Sequence, residues 1–237
     1  MDRLPIGVII LIVVSVLIYL GLLQRILDRM RLTDRAALVI VGAMVVGSLI
    51  DIPIPAGRNT VALNVGGAIV PVALAVYLLS RADEAAEKTR ALLGALITGA
   101  VVYGVGTFIM TGLPEPAGRY AFIDVLYLYP IVAAVIAYTV GRSRRASFVA
   151  AILGVLLADV FHWTRLVATR TPGSVHIGGA GAFDTIVVSG LLAVLLAEVV
   201  GEIRERIQGG PRSGGRSRAT LDALKTPEEG GQRDEDR

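Results

Sequence analysis

The segments Ala158-Asp-Val-Phe-His-Trp-Thr-Arg165, Arg170-Thr-Pro-Gly-Ser174 and His176-Ile-Gly-Gly-Ala-Gly-Ala-Phe-Asp184 place charge and turn residues between two long apolar runs. An ionisable side chain inside a lipid-length apolar run is costly. By default it marks a bundle interior or a water-filled cavity. The stretch is therefore expected to form the paired ends of two membrane helices.

Composition supports that reading. Of the 237 residues, 54% are hydrophobic and 18% charged, and the mean hydropathy is +0.68. Ordinary soluble domains are less apolar and more charged. A formal charge of +3 does not indicate nucleic acid, because the basic residues cluster in short links between apolar runs, where they report topology. The absence of cysteine excludes disulfides, thiol nucleophiles and cysteine-ligated metals.

The apolar runs are Pro5–Leu23, Ala36–Ile50, Val61–Leu79, Ala91–Gly112, Phe122–Val140, Ala146–Thr169 and His176–Val200. At roughly 20 residues per spanning helix they predict an all-α polytopic bundle of about seven transmembrane helices. The first run lacks a small-residue cleavage pattern and reads as a retained span. Arg25, Arg29, Arg31 and Arg35 follow it, Arg81, Lys88 and Arg90 follow the third run, and Arg142, Arg144 and Arg145 follow the fifth. The intervening links are poor in Lys and Arg, with Arg58 alone in the short loop after Asp51-Ile-Pro-Ile-Pro55. The N-terminus is therefore expected outside and the C-terminus in the cytoplasm of a prokaryotic inner-membrane, multi-pass protein.

Residues 1–207 are expected to form the transmembrane domain and 208–237 a disordered polar cytoplasmic tail. In the third run, Asn64, Gly66-Gly67 and Pro71 predict an unwound or kinked first half; ordinary packing between neighbouring helices is the alternative. Gly94, Gly99, Gly104 and Gly106 read as helix-packing positions. Tyr120, Phe122, Tyr127 and Tyr129 read as an outer interfacial belt.

The runs Leu23-Gln-Arg-Ile-Leu-Asp-Arg-Met-Arg-Leu-Thr-Asp34, Asn64-Val-Gly-Gly-Ala68 and His176–Asp184 together resemble an uncharacterised family of bacterial and archaeal multi-pass membrane proteins, domain-of-unknown-function family 1614. The resemblance covers Leu4 to about Ile203. It implies the architecture and brings no activity with it.

Depth gives the polar residues a geometry. At about 1.5 Å per helical residue, Asp184 is expected roughly 12 Å and Asp159 roughly 15 Å from the outer surface. Antiparallel neighbours packed directly have axes about 8–10 Å apart, so the two carboxyls are expected to face one another. His162 and Arg165 lie nearer the surface, and Asp124, Asn64, Asp51 and His176 fall in the same outer half.

Two carboxyls in a low-dielectric site divide into an acid and a base, which is the chemistry of an aspartyl-type hydrolase acting on a membrane-embedded peptide. Asp159 and Asp184 are the catalytic candidates. His162 and Arg165 tune them, Asp124, Asn64 and His176 line the site, and Gly179 and Gly181 give the substrate backbone access. The arrangement partly resembles intramembrane aspartyl proteases of the Gly-x-Gly-Asp type. It departs from them in placing Ala182-Phe183 between Gly181 and Asp184, in having Ala158 before Asp159, and in lacking the Pro-Ala-Leu element.

Two other readings stay open: a proton- or cation-coupled secondary transporter of a small ion or solute, with Asp159 and Asp184 binding the proton or cation and Asn64 and the Gly66-Gly67 break coordinating substrate, and a structural subunit whose Asp159, His162 and Arg165 form an ion-pair network. No metal site, cofactor or nucleic-acid partner is assigned. The expected surroundings are the lipid bilayer.

Overall fold

The computed structural model describes residues 16, 18, 20–28, 30, 32–56, 59–82, 84–108 and 125–207. Most of the first apolar run, Arg58, the link at residues 113–120, Asp124 and the tail at 208–237 lie outside them. The chain is mostly helical. The helices are α1 (residues 20–28), α2 (Asp34–Gly47), α3 (Val70–Ser80), α4 (Ala85–Phe108), α5 (Val125–Gly141), α6 (Arg144–Ala168) and α7 (Thr185–Ile207). Described residues through Glu198 belong to one compact unit, and Val199–Ile207 belong to a second.

Helix starts follow local chemistry. Thr33 accepts a bond from the Ala36 amide at 3.3 Å, and Asp34 adds a negative charge to the first turn of α2. Ser143 does the same for α6, accepting from the Ala146 amide at 3.1 Å. The stripe Ala37, Val41, Met44 and Gly47 turns inward from α2 to meet Leu23, Ile26, Leu27 and Met30 in the core. Leu38, Val39, Val45 and Val46 are exposed on the same helix, so α2 is apolar on its outward face as well.

The 24 residues of α4 and 25 of α6 give helices about 36 Å and 38 Å long. Together with Thr185–Arg204 of α7 they are long and apolar enough to cross a membrane; Val65–Ser80 and Leu128–Gly141 are shorter apolar helices. Small residues bring α4 and α6 together. A Cβ at Gly94 would stand 2.8 Å from the Ala150 Cβ, one at Gly99 2.9 Å from the Gly154 carbonyl, and one at Gly154 2.6 Å from the Thr98 Cβ. Dispersion between closely approaching backbones holds such a seam.

The all-α expectation needs correction at one end of the bundle. Asp51–Ala56 (β1), Asn59–Asn64 (β2) and Ser174–Ile177 (β3) form a three-stranded sheet in the order β1-β2-β3. β1 and β2 are antiparallel, with Asp51 opposite Asn64. β2 and β3 are parallel, with Thr60 opposite Ser174 and Ala62 opposite His176. Pro53 and Pro55 sit on the edge strand, where a missing N–H is tolerated.

The third and seventh apolar runs therefore do not begin as α-helix. After β2 the chain makes a π-helical turn, Val65–Ile69, before Pro71 enters the first turn of α3, a position where its lack of an N–H is harmless. The expected break in the first half of the third run is present. In the seventh run, residues 174–183 are strand, turn and a short 3-10 segment, and α7 starts at Thr185. Gly178 and Gly181 adopt φ +73 and +61, a left-handed backbone that ends any continuous helix there.

Candidate functional site

The sheet end is locked by backbone contact. Ser48 caps α2, donates its hydroxyl to the Met44 carbonyl at 2.6 Å and accepts the Ala182 amide at 3.0 Å. Asn64, buried, accepts the Gly67 amide at 2.8 Å and donates to the Ser48 carbonyl at 3.0 Å and the Asp51 carboxylate at 2.9 Å. A Cβ at Gly178 would lie 2.5 Å from the Gly67 carbonyl carbon, and one at Gly181 would overlap the Ser48 side chain. The end of α2, the π turn and the turn before α7 thus interlock, and they fix where Asp184 emerges.

Asp184 ends the 3-10 turn in extended conformation, φ −66 and ψ 152. Its carboxylate accepts the Ile186 amide at 2.9 Å and the Ala180 amide at 3.2 Å, while its carbonyl accepts the Val188 amide at 2.9 Å. It is the N-cap of α7. The same residue also lines a cavity of about 360 Å³ together with Asp159, His162, Arg165 and His176. That volume lies in the range of small-ligand sites, about 300–1,000 Å³.

Each wall has a local cause. On α6, Asp159, His162 and Arg165 are successive i, i+3 neighbours. Trp163, between them, packs on the core instead. On β3 the alternation of a strand buries Val175 and Ile177 and exposes Ser174 and His176, which turns His176 to the cavity. α4 contributes Val102, Tyr103, Gly106 and Thr107, and α5 contributes Tyr129. Tyr103 meets Phe161 of α6 edge-on, ring centroids 5.9 Å apart. A Cβ at Gly106 would collide with the Tyr129 hydroxyl.

Five of the candidate residues, Asp159, His162, Arg165, His176 and Asp184, come together in one cavity. Asn64, Gly179 and Gly181 are not among its lining residues, and Asp124 lies outside the described residues. The depth estimate for Asp184 assumed a helix from His176. The residue instead reaches the cavity through strand and turn. Tyr103 and Tyr129 were not among the candidates; a phenol within a glycine-rich apolar run and a phenol beside Pro130 were the signals available for them.

Among the described residues, none of the five cavity groups makes an ion pair; the pair present, Arg206 to Glu202, is exposed and elsewhere. Asp159 has no hydrogen-bond donor there either, in contrast to Asp184. Among the described residues no group of three or more His, Cys, Asp or Glu side chains converges in a way that could hold a metal. The cavity thus holds two carboxyls in unlike settings, Asp184 accepting two backbone amides and Asp159 with no donor among the described residues.

No curated protein and no solved structure matches the chain. A family model described as "Protein of unknown function (DUF1614)" matches residues 22–196, which include every described wall of the cavity. The chain belongs to that family.

Proposed function

We propose that this is a multi-pass protein of a prokaryotic inner membrane whose cavity opens on the outer face, and that Asp159 and Asp184 hydrolyse a membrane-embedded peptide there as an acid–base pair. Three helices of spanning length and exposed apolar side chains such as Val39, Leu92 and Leu96 support the membrane assignment. Arg25 and Arg35, Arg81, Lys88 and Arg90, and Arg142, Arg144 and Arg145 cluster in or beside the links α1–α2, α3–α4 and α5–α6 and fit the cytoplasmic side. The last two are tied together, Ser143 donating to Glu87 at 2.6 Å and Arg145 to the Arg81 carbonyl at 3.4 Å. The cavity lies at the other ends of the same helices.

The observation that carries the hydrolytic reading is the shared cavity and the asymmetry within it. Two backbone amides favour the anion of Asp184 over that of Asp159, which has no such donors, so Asp184 is assigned as the base. Asp159, without such donors, serves as the acid. Asp184 removes a proton from water, and the water oxygen attacks the scissile carbonyl carbon while Asp159 gives its proton to the carbonyl oxygen. Collapse of the tetrahedral intermediate breaks the C–N bond. The proton held by Asp184 passes to the leaving nitrogen and the hydroxyl proton returns to Asp159, leaving both carboxyls as they began.

A transporter would use Asp159 and Asp184 for its proton or cation and Asn64 with the Gly66-Gly67 break for its substrate; Asn64 and the break are occupied in the interlock with Ser48 and Gly178, which weighs against that substrate site and favours hydrolysis. The test is cleavage of a transmembrane peptide by the full-length protein in liposomes. Asp159→Asn and Asp184→Asn are each expected to abolish it. Unchanged cleavage in both variants sinks the reading, and proton or cation flux lost in them would point to transport.

A further inference from the structure

The mouth of the cavity differs from its interior. Arg165, His162 and His176 are exposed where they line it, whereas Asp159 and Asp184 are partly buried. Among the described residues no carboxylate pairs with Arg165, and of the two cavity carboxylates Asp184 accepts two backbone amides. One guanidinium and two imidazoles therefore line the opening from two separate elements, α6 and β3, with no hydrogen-bond partner among the described residues.

We infer that this mouth is a recognition site for a carboxylate, and that the peptide taken by the cavity carries an acidic residue on the outer side of the membrane next to the segment to be cleaved. The inference rests on the cavity being the substrate site. A guanidinium presents a planar fork matched to a carboxylate, and such charge-assisted pairs are the stronger class of hydrogen bond. The imidazoles add donors from the side, and the anchored acidic residue sets the register of the chain over Asp159 and Asp184. A bland role for Arg165 also exists, because it lies in the last turn of α6, where any cation complements the helix dipole. Lysine would serve that role equally well, and it lacks the fork.

The test is binding, independent of turnover. Full-length Asp159→Asn protein in phosphatidylcholine nanodiscs is titrated with fluorescent transmembrane peptides differing only in Glu or Gln at the outer end. The Glu peptide is expected to bind about tenfold or more tightly, the value of one charge-assisted bond. Arg165→Gln in the same background is expected to erase the preference, Arg165→Lys to keep part of it, and Arg165→Glu to shift it toward a peptide with Lys at that position. Equal affinity for the Glu and Gln peptides, or a preference indifferent to Arg165→Gln, overturns the inference. A preference for Glu that depends on Arg165, in a protein whose wild type cleaves nothing, would remove the hydrolase and leave the carboxylate site standing.

Discussion

The helices α4 and α6 meet twice, in opposite ways. Along Gly94, Gly99 and Gly154 they approach until no Cβ fits between them, and Thr98 and Ser147 are fully buried beside that seam. About one to two turns further along, Tyr103 and Thr107 on one helix and Asp159 and His162 on the other stand around open space. Residue size accounts for the change. Small side chains close the seam, and large polar ones, held apart by Tyr129, β3 and the α7 cap, keep the cavity open. The same pair of helices is a clamp at one level and a site at the next.

Breaking the clamp should cost the most. Gly154→Leu forces a branched side chain onto Thr98 and the Ala95 carbonyl, and is expected to destabilise the protein by about 1–3 kcal/mol or more, read as a lower midpoint of unfolding in detergent. Next comes the α7 cap. Asp184→Ala loses both side-chain bonds and should cost about 1 kcal/mol, whereas Asp184→Asn still accepts the Ile186 amide and should cost less, so that the Asn variant separates chemistry from folding. The smallest stability effect is expected at Gly106→Ala, because about 1 kcal/mol of helix propensity offsets the displaced Tyr129 hydroxyl. Its midpoint should hardly move while cleavage falls. A Gly106→Ala variant as unstable as Gly154→Leu would erase the distinction between the two levels.

The long elements were legible because their signal is local. The apolar runs of α4 and α6 are long and are bounded by charge or turn residues. The sheet was not legible, since β2 pairs with β3 across more than a hundred residues, Thr60 with Ser174, and strand preference depends on such partners. Asp51-Ile-Pro-Ile-Pro55 reads equally well as loop and as edge strand, and Val61–Asn64 merges by composition into the helix that follows. For the site, Asp159, His162 and Arg165 stood out because charge in an apolar run is expensive, and the short link after α6 carried His176 and Asp184 back to them. The phenols did not stand out. Tyrosine is at home both in a membrane interface and in a cavity wall, and only the fold separates the two.

As proposed above, Asp159 and Asp184 face one another in a cavity open to the outside. Because the chain has no native cysteine, this can be tested directly with the Asp159→Cys/Asp184→Cys double variant in intact, oriented membranes, treated from the outer side with a short, membrane-impermeant bifunctional thiol reagent. An intramolecular bridge across the cavity is expected in the double variant, and labelling of each single variant from the same side. Labelling of both thiols without a bridge, or labelling only from the cytoplasmic side, would contradict it.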